Sequence, residues 1–263
     1  MTFIKKGINM KLTLIGNGMM AKSLAKGLAS TYEIEIIGRD EKNLAQLQKE
    51  VPEVSIKVIS DKEDITDKIV IFCVKPYALH SVSARLTGKA KVFLSILAGT
   101  KLESLKKNIA SAHYVRCMPN VAATYQKSMT TITGDKEAKN LAVELFASIG
   151  KTLWVNTENQ LDIATAVAGS GPAFLALIAE GLADGAVNAG LERHHASELV
   201  QGLFEGTAAL LSNEKPADIK DSVMSPGGTT AAGYTALENG AVRASLIDAI
   251  NKAYEKAVQL SKD

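Results

Sequence analysis

The sequence is poor in cysteine and in histidine, and this scarcity argues against several kinds of site. It has two cysteines in 263 residues, Cys73 and Cys117, and both lie in apolar stretches typical of strands. We interpret them as buried, reduced thiols, as expected of a cytosolic protein. The four histidines show no spacing typical of metal ligands, and no CxxC or HExxH motif occurs. A metal site is therefore not expected.

The sequence also lacks an excess of one charge and long apolar runs. The formal net charge is +2, with lysines and arginines scattered along the chain, which predicts no nucleic-acid partner. No strongly apolar run approaches the roughly 20 residues that span a bilayer. Residues 1–10 carry two lysines but no long apolar segment, so no secretory signal is expected, and Met10 is a second candidate for the functional start. We expect a cytoplasmic protein without a membrane partner.

The residues that are present predict a globular protein with two domains. Hydrophobic residues supply 46% of the chain and charged residues 22%, which suits a sizeable core under a solvated surface. Over residues 1–157, short apolar runs alternate with helix-period segments, and this order is typical of a Rossmann-type, doubly wound, mostly parallel sheet. Strands are predicted at Lys11–Ile15, Glu33–Ile37, Ser55–Ile59, Ile69–Val74, Val92–Leu97, Tyr114–Cys117, Thr130–Thr133 and Thr152–Val155.

The pattern changes to helical periodicity over residues 158–263, which predicts an all-helical domain for substrate binding and dimerisation. Its segment Ala173–Ala189 is rich in Ala, Gly and Leu and has few charges beyond Glu180 and Asp184. A helix that is apolar nearly all round must be buried on most faces. In so small a domain a second copy of the chain supplies that burial more easily than the domain itself, so we expect a homodimer. Glu180 and Asp184 are expected to hydrogen-bond in the core or interface.

A glycine-rich turn follows the first predicted strand and opens a helix. It reads Gly16-Asn17-Gly18-Met19-Met20-Ala21. Gly16 allows the tight turn, Gly18 lets a diphosphate approach the backbone, and Ala21 lets the helix pack close to the strand. The helix N-terminus then favours negative charge. We predict that these six residues bind a nicotinamide dinucleotide; the alternative is a purely structural turn.

The end of the second predicted strand indicates which dinucleotide is used. Enzymes that use NAD usually place an acidic residue there, which binds the ribose hydroxyls and repels a 2′-phosphate. Here the strand ends at Gly38, and Arg39 offers a planar fork suited to phosphate. Asp40 remains an alternative ribose ligand if the register differs by a residue or two. We predict NADPH as the cofactor, with NADH as a weaker alternative.

Five further motifs are not explained by a generic nucleotide fold. They are Val74-Lys75-Pro76, Ser95-Ile96-Leu97-Ala98-Gly99, Arg116-Cys117-Met118-Pro119-Asn120, Gly169-Ser170-Gly171-Pro172-Ala173 and Ser225-Pro226-Gly227-Gly228-Thr229-Thr230. In this order the set resembles the pyrroline-5-carboxylate reductase family, from about Lys11 to the end of the chain. Three residues depart from the usual family pattern, namely Tyr77, Cys117 and Phe174, and we expect Tyr77 to alter the nicotinamide side of the pocket.

Motifs at strand ends are assigned to the cofactor, because cofactor and substrate meet at the carboxyl edge of a parallel sheet. Pro76 fixes the backbone where the chain leaves the sheet, and the Asn120 amide is predicted to orient the nicotinamide. Lys75 either hydrogen-bonds the cofactor or is solvated. The predicted set is completed by Val74, Ala98 and Gly99.

The last motif is typical of an anion cradle. Gly227 and Gly228 free the backbone to turn, so that consecutive N–H groups and hydroxyls lead into a helix N-terminus. A substrate carboxylate fits such a site, with Ser225, Thr229 and Thr230 as further ligands; the alternative is a plain helix cap. The resemblance implies that Thr230 is the hydrogen-bond donor at the reacting nitrogen, with Ser225 nearby.

The resemblance implies reduction of 1-pyrroline-5-carboxylate to L-proline, the last step of proline biosynthesis. It also implies a homo-oligomer built from dimers, with the Ser225–Thr230 loop of one subunit facing the nicotinamide of the other. Two rivals remain open. A 3-hydroxyacid dehydrogenase needs a catalytic lysine early in the helical domain, and Ala173–Glu180 contains none. A non-catalytic NADP-binding sensor would share the fold, but would not need a carboxylate cradle.

Overall fold

The structure is a computed structural model that describes residues 10–260. The expectations for residues 1–9 therefore lie outside the described part. The described chain forms two compact units, one of residues 10–169 with 254–260 and one of residues 170–253. The predicted domain boundary, between 157 and 158, stays a prediction.

The first unit is built on an eight-stranded sheet with the order β10-β9-β8-β7-β5-β1-β2-β3. Every neighbouring pair is parallel except β8 and β9, which are antiparallel. A separate short pair joins β4 to β6. The strands are β1 Lys11–Ile15, β2 Glu33–Gly38, β3 Ser55–Val58, β4 Glu63–Asp64, β5 Ile69–Phe72, β6 Leu86–Thr87, β7 Ala90–Ser95, β8 Ser111–Met118, β9 Ser128–Gly134 and β10 Gly150–Trp154.

Helices cover both faces of this sheet. Those of the first unit are α1 Met19–Leu28, α2 Glu41–Glu50, α3 Leu79–Ser83, α4 Leu102–Asn108, α5 Lys139–Ala147 and α6 Glu158–Ala164. One core layer joins the sheet to α1, α2 and α5, and the other joins it to α3 and α4. The central strands are apolar on both faces, as all four buried residues of β5 show, because a parallel sheet covered on both sides has no solvated face. The predicted doubly wound sheet is confirmed.

The second unit consists of helices. They are α7 Gly171–Asn188, α8 Arg193–Leu211, α9 Pro216–Val223, α10 Thr229–Asn239 and α11 Val242–Leu260, whose last turns belong to the first unit. Ala183 is the buried residue of α7 and Ala196 that of α8, whereas α9, α10 and α11 bury none. Leucines such as Leu177, Leu199 and Leu203 are more than half exposed. The predicted all-helical part is confirmed, and it has scarcely any core of its own.

The expectation that no apolar segment approaches the length needed to span a bilayer is corrected here. Through a π-helical turn at Thr165–Gly169, α6 and α7 form a single helix over Glu158–Asn188, long and apolar enough by length and composition to cross a membrane. Its many alanines raise the mean hydropathy without forming a run of large apolar side chains, which is why the sequence pattern missed it. Within this helix, 17% of the most apolar window is buried.

Candidate active site

The chain reverses direction at Gly16, directly after β1. Gly16 has φ +118°, a conformation that side-chain-bearing residues rarely adopt, and its N–H donates to the Ile37 carbonyl oxygen over 2.7 Å. A Cβ placed on Gly16 would lie 2.6 Å from the carbonyl oxygen of Cys73, on the segment after β5. Glycine is therefore required here by the backbone itself, and β1, β2 and the end of β5 meet at this point.

Two residues later, Gly18 caps α1, and the reason for a glycine is different. Gly18 has φ −81°, and a Cβ there would meet nothing within 4 Å. No side chain caps the helix, and its first turn contains no acidic residue. The N–H groups of that turn therefore face open space with the positive end of the helix dipole, as a diphosphate requires. The residues present thus fit a dinucleotide.

A cleft of about 180 Å³ begins at this turn and runs to the end of β2. Arg39 and Lys75 are its two cationic residues. Its remaining lining residues are Ile15, Gly16, Asn17, Gly18, Ile37, Gly38, Ile59, Cys73, Val74, Tyr77, Ala78 and Val82. We name this space the first cleft.

The structure shows where Arg39 and the alternative residue, Asp40, lie at the end of β2. A Cβ on Gly38 would lie 2.8 Å from Cγ of Asn17, so the strand end must stay bare for that side chain to fit. Asp40 is the cap of α2, and its Oδ1 accepts a hydrogen bond from the Asn43 N–H at 2.8 Å. Asp40 thus has a local structural partner, whereas Arg39 is exposed on the first cleft.

A second cleft, of about 370 Å³, continues from the first and shares Gly18, Cys73, Val74 and Lys75 with it. The further residues that line it are Met19, Met20, Ser23, Pro76, Ile96, Ala98, Pro119, Val121 and Thr124. The two clefts together follow the carboxyl ends of β1, β2, β5 and β7, the edge at which doubly wound sheets bind their ligands.

Three of the predicted cofactor residues do not line either cleft. Ala21 is a fully buried residue of α1, as expected for close packing of the helix on the strand. Gly99 has φ +67°, and a Cβ there would lie 2.7 Å from Cβ of Leu260. Asn120 uses its side chain locally: Oδ1 accepts from the Ala122 N–H at 3.1 Å, and Nδ2 donates to the Ala168 carbonyl at 3.0 Å. These contacts explain why a glycine and an asparagine are present at positions 99 and 120 without a cofactor. The predicted contacts of Gly99 and Asn120 with the cofactor stay predictions.

The second unit presents its own anion cradle. Gly227 has φ +70°, and Gly228, the cap of α10, donates its N–H to the Ser225 carbonyl at 3.0 Å. A Cβ on Gly228 would lie 2.5 Å from Oγ of Ser225, so the turn closes because this position is bare. No side chain caps α10, its first turn is free of acidic residues, and Thr229 and Thr230 are exposed. This is an open helix N-terminus flanked by hydroxyls.

Comparison with known proteins identifies the family. Residues 11–99 match the family described as NADP oxidoreductase coenzyme F420-dependent, and residues 158–260 match the one described as pyrroline-5-carboxylate reductase dimerisation. A pyrroline-5-carboxylate reductase of Synechocystis is 37% identical over 97% of this chain and all of its own length. The chain belongs to the pyrroline-5-carboxylate reductase family.

Further relatives agree with this assignment. The reductase of Pisum sativum is 34% identical over 95% of this chain and 96% of its own length. The structure of the Streptococcus pyogenes reductase covers 95% of this chain and 98% of its own, with 32% identity and a TM-score of 0.84. The Plasmodium falciparum reductase, solved with NADP bound, covers 97% of this chain and all of its own, with 25% identity and a TM-score of 0.80. The predicted family, enzyme class and NADP(H) cofactor are confirmed at the level of the family.

The family motif at Arg116 has a structural function that the sequence did not reveal. Arg116 on β8 is 1% exposed, and it pairs with Glu158 at 2.8 Å and Asp162 at 3.2 Å, both on α6. Glu158 also accepts a hydrogen bond from the Leu102 N–H at the start of α4. Burial raises the pKa of Asp162 despite the attraction of Arg116. The folded state therefore favours the neutral form of Asp162 more than the unfolded chain does. As pH rises through the pKa of Asp162, its ionisation lowers the stability of the folded state.

A second polar cluster links helices of the second unit near the Ser225–Thr230 loop. Arg243 donates to the Glu238 carboxylate and to the Tyr234 hydroxyl, which itself donates to Glu238 at 2.6 Å. These hydrogen bonds hold the pKa of Glu238 below its usual value and raise that of Arg243. The ammonium of Lys220, on α9, lies over the Tyr234 ring. Helices α9, α10 and α11 are thus linked on either side of the Ser225–Gly228 turn.

Several lining residues of the clefts were not predicted. Ile59 and Val82 line the first cleft, and Thr124, whose hydroxyl lies 3.1 Å from that of Ser23, lines the second. Tyr77 stands on the cleft that also contains Arg39, and the second cleft does not include it. For Ile59, the signal that could have found it is its position directly after the end of β3.

Glu180 and Asp184 lie apart from the two clefts. Asp184 pairs with Arg193 at 2.6 Å, and Glu180 lines a groove with them between α7 and α8. Both cysteines are free, and burial raises the pKa of each thiol. The structure also brings Glu192, His194 and His195, all exposed, within 4.8 Å of one another through their ligand atoms. The turn before α8 creates this cluster, which spacing alone did not predict; the absence of a metal stays a prediction.

Proposed function

We propose that this chain reduces 1-pyrroline-5-carboxylate to L-proline with NADPH. The observation that carries the proposal is the exposed, uncapped N-terminus of α10 at Ser225–Thr230. It fits a small carboxylate, and it occurs in a chain that matches reductases of this family over nearly its full length. A dinucleotide cleft alone would indicate only the cofactor, since fold does not fix function.

The reaction is balanced by simple chemistry. Bound NADPH would supply a hydride for the carbon of the imine, whose nitrogen has already taken a proton from solvent. The C=N π pair then becomes the nitrogen lone pair of the product amine. A protonated imine is already electrophilic, so the protein must mainly align the two reactants and keep competing water away from them. No obligatory acid of the histidine or cysteine type is needed.

The first unit holds the cofactor in this proposal. The N–H groups that follow Gly18 at the start of α1 bind the diphosphate, and Gly18 leaves room for it. Arg39 binds the 2′-phosphate through its guanidinium fork. Lys75 lies where the two clefts join and contributes a second positive charge near the phosphates. The second cleft, with Met19, Met20, Pro76 and Ala98, receives the nicotinamide half.

The second unit binds the substrate. The N–H groups at Gly228, Thr229 and Thr230 and the hydroxyl of Ser225 receive the carboxylate, favoured by the helix dipole. The Thr230 hydroxyl accepts from the iminium N–H before the transfer and donates to the nitrogen lone pair afterwards. A hydroxyl can do both because it is donor and acceptor at once.

The apolar surface of the second unit is covered by another copy of this chain. Leu199 is 64% exposed and Leu203 is 54% exposed on α8, and the segment matches a dimerisation family. A patch of this kind is unusual on a soluble monomer and typical of an interface. A homodimer accounts for the apolar helix Glu158–Asn188 without a membrane, and it agrees with a cytoplasmic enzyme acting on a small molecule.

An assay with both coenzymes tests the function. Purified protein is given 1-pyrroline-5-carboxylate with NADPH or NADH, and coenzyme oxidation is followed at 340 nm. We expect turnover with both, and a higher kcat/KM for NADPH. A folded sample that binds NADPH but does not turn over would refute the proposal.

A further inference from the structure

Tyr77 is the least expected residue of the first cleft. It is 81% exposed, although the two residues that follow it, Ala78 and Leu79, are each only 4% exposed. Tyr77 lines the first cleft, so its exposed ring offers a flat face to a bound group.

The backbone that carries the ring is well fixed. Tyr77 is the middle residue of a 3-10 turn, Pro76–Ala78, and Pro76 restricts its first position. The Ala78 N–H donates to the Lys75 carbonyl at 2.9 Å, and Leu79 continues directly into α3. The exposure of Tyr77 is thus a consequence of where a rigid turn places it and not of a loose loop.

The rest of the first cleft suits a planar, apolar group. Its aliphatic lining includes Ile15, Ile37 and Ile59, all buried, and its cationic residue at the end of β2 is Arg39. A guanidinium plane and a phenol ring are the two side chains on which flat heteroaromatic rings stack best. Within a dinucleotide whose diphosphate lies at Gly18, the adenine is the flat ring that extends toward the end of β2.

We propose that Tyr77 is a cofactor-binding residue whose ring stacks on the adenine of the cofactor, on the side of the cleft that contains Arg39. This inference rests on the proposed function for the identity of the cofactor, but it concerns binding alone. The ring face supplies the interaction, and the hydroxyl is not required. The nicotinamide half of the cofactor does not contact it.

The test uses the full-length protein and two fragments of the cofactor. Calorimetry measures the Kd of 2′,5′-ADP, which contains the adenine, and of reduced nicotinamide mononucleotide, which does not. We expect Tyr77→Ala to weaken 2′,5′-ADP binding about tenfold, which is ~1.4 kcal/mol and within the ~1–3 kcal/mol range of base stacking. Binding of the mononucleotide stays unchanged, and Tyr77→Phe binds 2′,5′-ADP like the wild type.

Two comparisons make the result specific. Tyr125→Ala removes an aromatic ring that is 78% exposed and lines neither cleft, so it leaves both affinities unchanged. Stacking also quenches the fluorescence of a 1,N6-ethenoadenine form of 2′,5′-ADP, in the wild type and Tyr77→Phe but not in Tyr77→Ala. Unchanged binding in Tyr77→Ala, or a Tyr77→Phe variant as weak as Tyr77→Ala, would overturn the proposal. Failure of the reductase activity with fragment binding intact would overturn the proposed function and leave this inference standing.

Discussion

Gly16 and Gly18 lie in one turn and allow a paired experiment. The fold itself requires a glycine at position 16, whereas at position 18 a glycine is expected to be needed only for the cofactor. At Gly16 an alanine would hold φ at +118° and bring its Cβ to 2.6 Å from the Cys73 carbonyl oxygen. A backbone in so rare a region costs ~1–3 kcal/mol, and forced overpacking costs about the same. We expect Gly16→Ala to lower the free energy of unfolding by ~2–4 kcal/mol, or ~5–15 °C in Tm.

At Gly18 an alanine meets nothing within 4 Å, and φ is −81°, which alanine adopts freely. The Tm of Gly18→Ala without cofactor is therefore expected to equal that of the wild type or to exceed it slightly, since alanine reduces the entropy of the unfolded chain. The methyl group occupies the space through which the diphosphate approaches. NADPH at about 100 times its Kd stabilises the wild type by ~2.7 kcal/mol, and Gly18→Ala loses most of this gain.

Differential scanning fluorimetry with and without NADPH measures both effects in one plate. The expected pattern is a low Tm for Gly16→Ala in either condition, and a normal Tm for Gly18→Ala that NADPH barely raises. A full NADPH-induced shift in Gly18→Ala would mean that the diphosphate does not approach there. A wild-type Tm for Gly16→Ala would contradict the close contact with the segment after β5.

The remaining predictions concern other parts of the molecule. Thr230→Ala should lower kcat at least tenfold with the Kd of NADPH unchanged, and Thr230→Ser should restore most of it; lost cofactor affinity instead would refute the assigned function. Arg39→Ala should raise the KM for NADPH more than that for NADH, and equal effects in steady-state kinetics would count against a 2′-phosphate contact. Arg116→Met leaves a buried acid without its cation and should cost ~3–5 kcal/mol at pH 7. Burial raises the pKa of Asp162, so acidification should neutralise this carboxyl and reduce the destabilisation. Chemical denaturation that shows the same loss of unfolding free energy at every pH would contradict this account. Leu199→Glu should give a monomer in light scattering, whereas Val58→Glu, 47% exposed on the first unit, should keep the dimer; a monomeric wild type would refute the interface.

The strands and long helices could be predicted because each carries a repeated pattern. β1 has the predicted bounds, Lys11–Ile15, since it is an apolar segment with clear ends. The short helices α3 and α4 were not predicted, because five and seven residues are too few to establish a helical period. The β4–β6 pair was missed for the same reason, with two residues in each strand.

The part of the candidate site that depends on backbone conformation could be predicted from the sequence. The part that depends on side-chain hydrogen bonds within the protein was harder to predict. Gly16 and Gly18 follow directly from the needs of a tight turn and an open helix end. Asn120 follows a strand end, where a cofactor-binding residue is expected. Its side-chain amide instead hydrogen-bonds to the carbonyl of Ala168 and the N–H of Ala122. The hydrogen bond to Ala168 joins residues that are 48 positions apart, and no single-sequence pattern reveals it.

The central claim is that this chain transfers a hydride from NADPH to the imine carbon of 1-pyrroline-5-carboxylate. The most direct test supplies the enzyme with NADPH that carries deuterium at both C4 positions and examines the proline formed by mass spectrometry. The account predicts one proline for each NADPH oxidised, one mass unit heavier than unlabelled proline, with the deuterium at C5. Oxidation of NADPH without proline, or proline without deuterium, would contradict it.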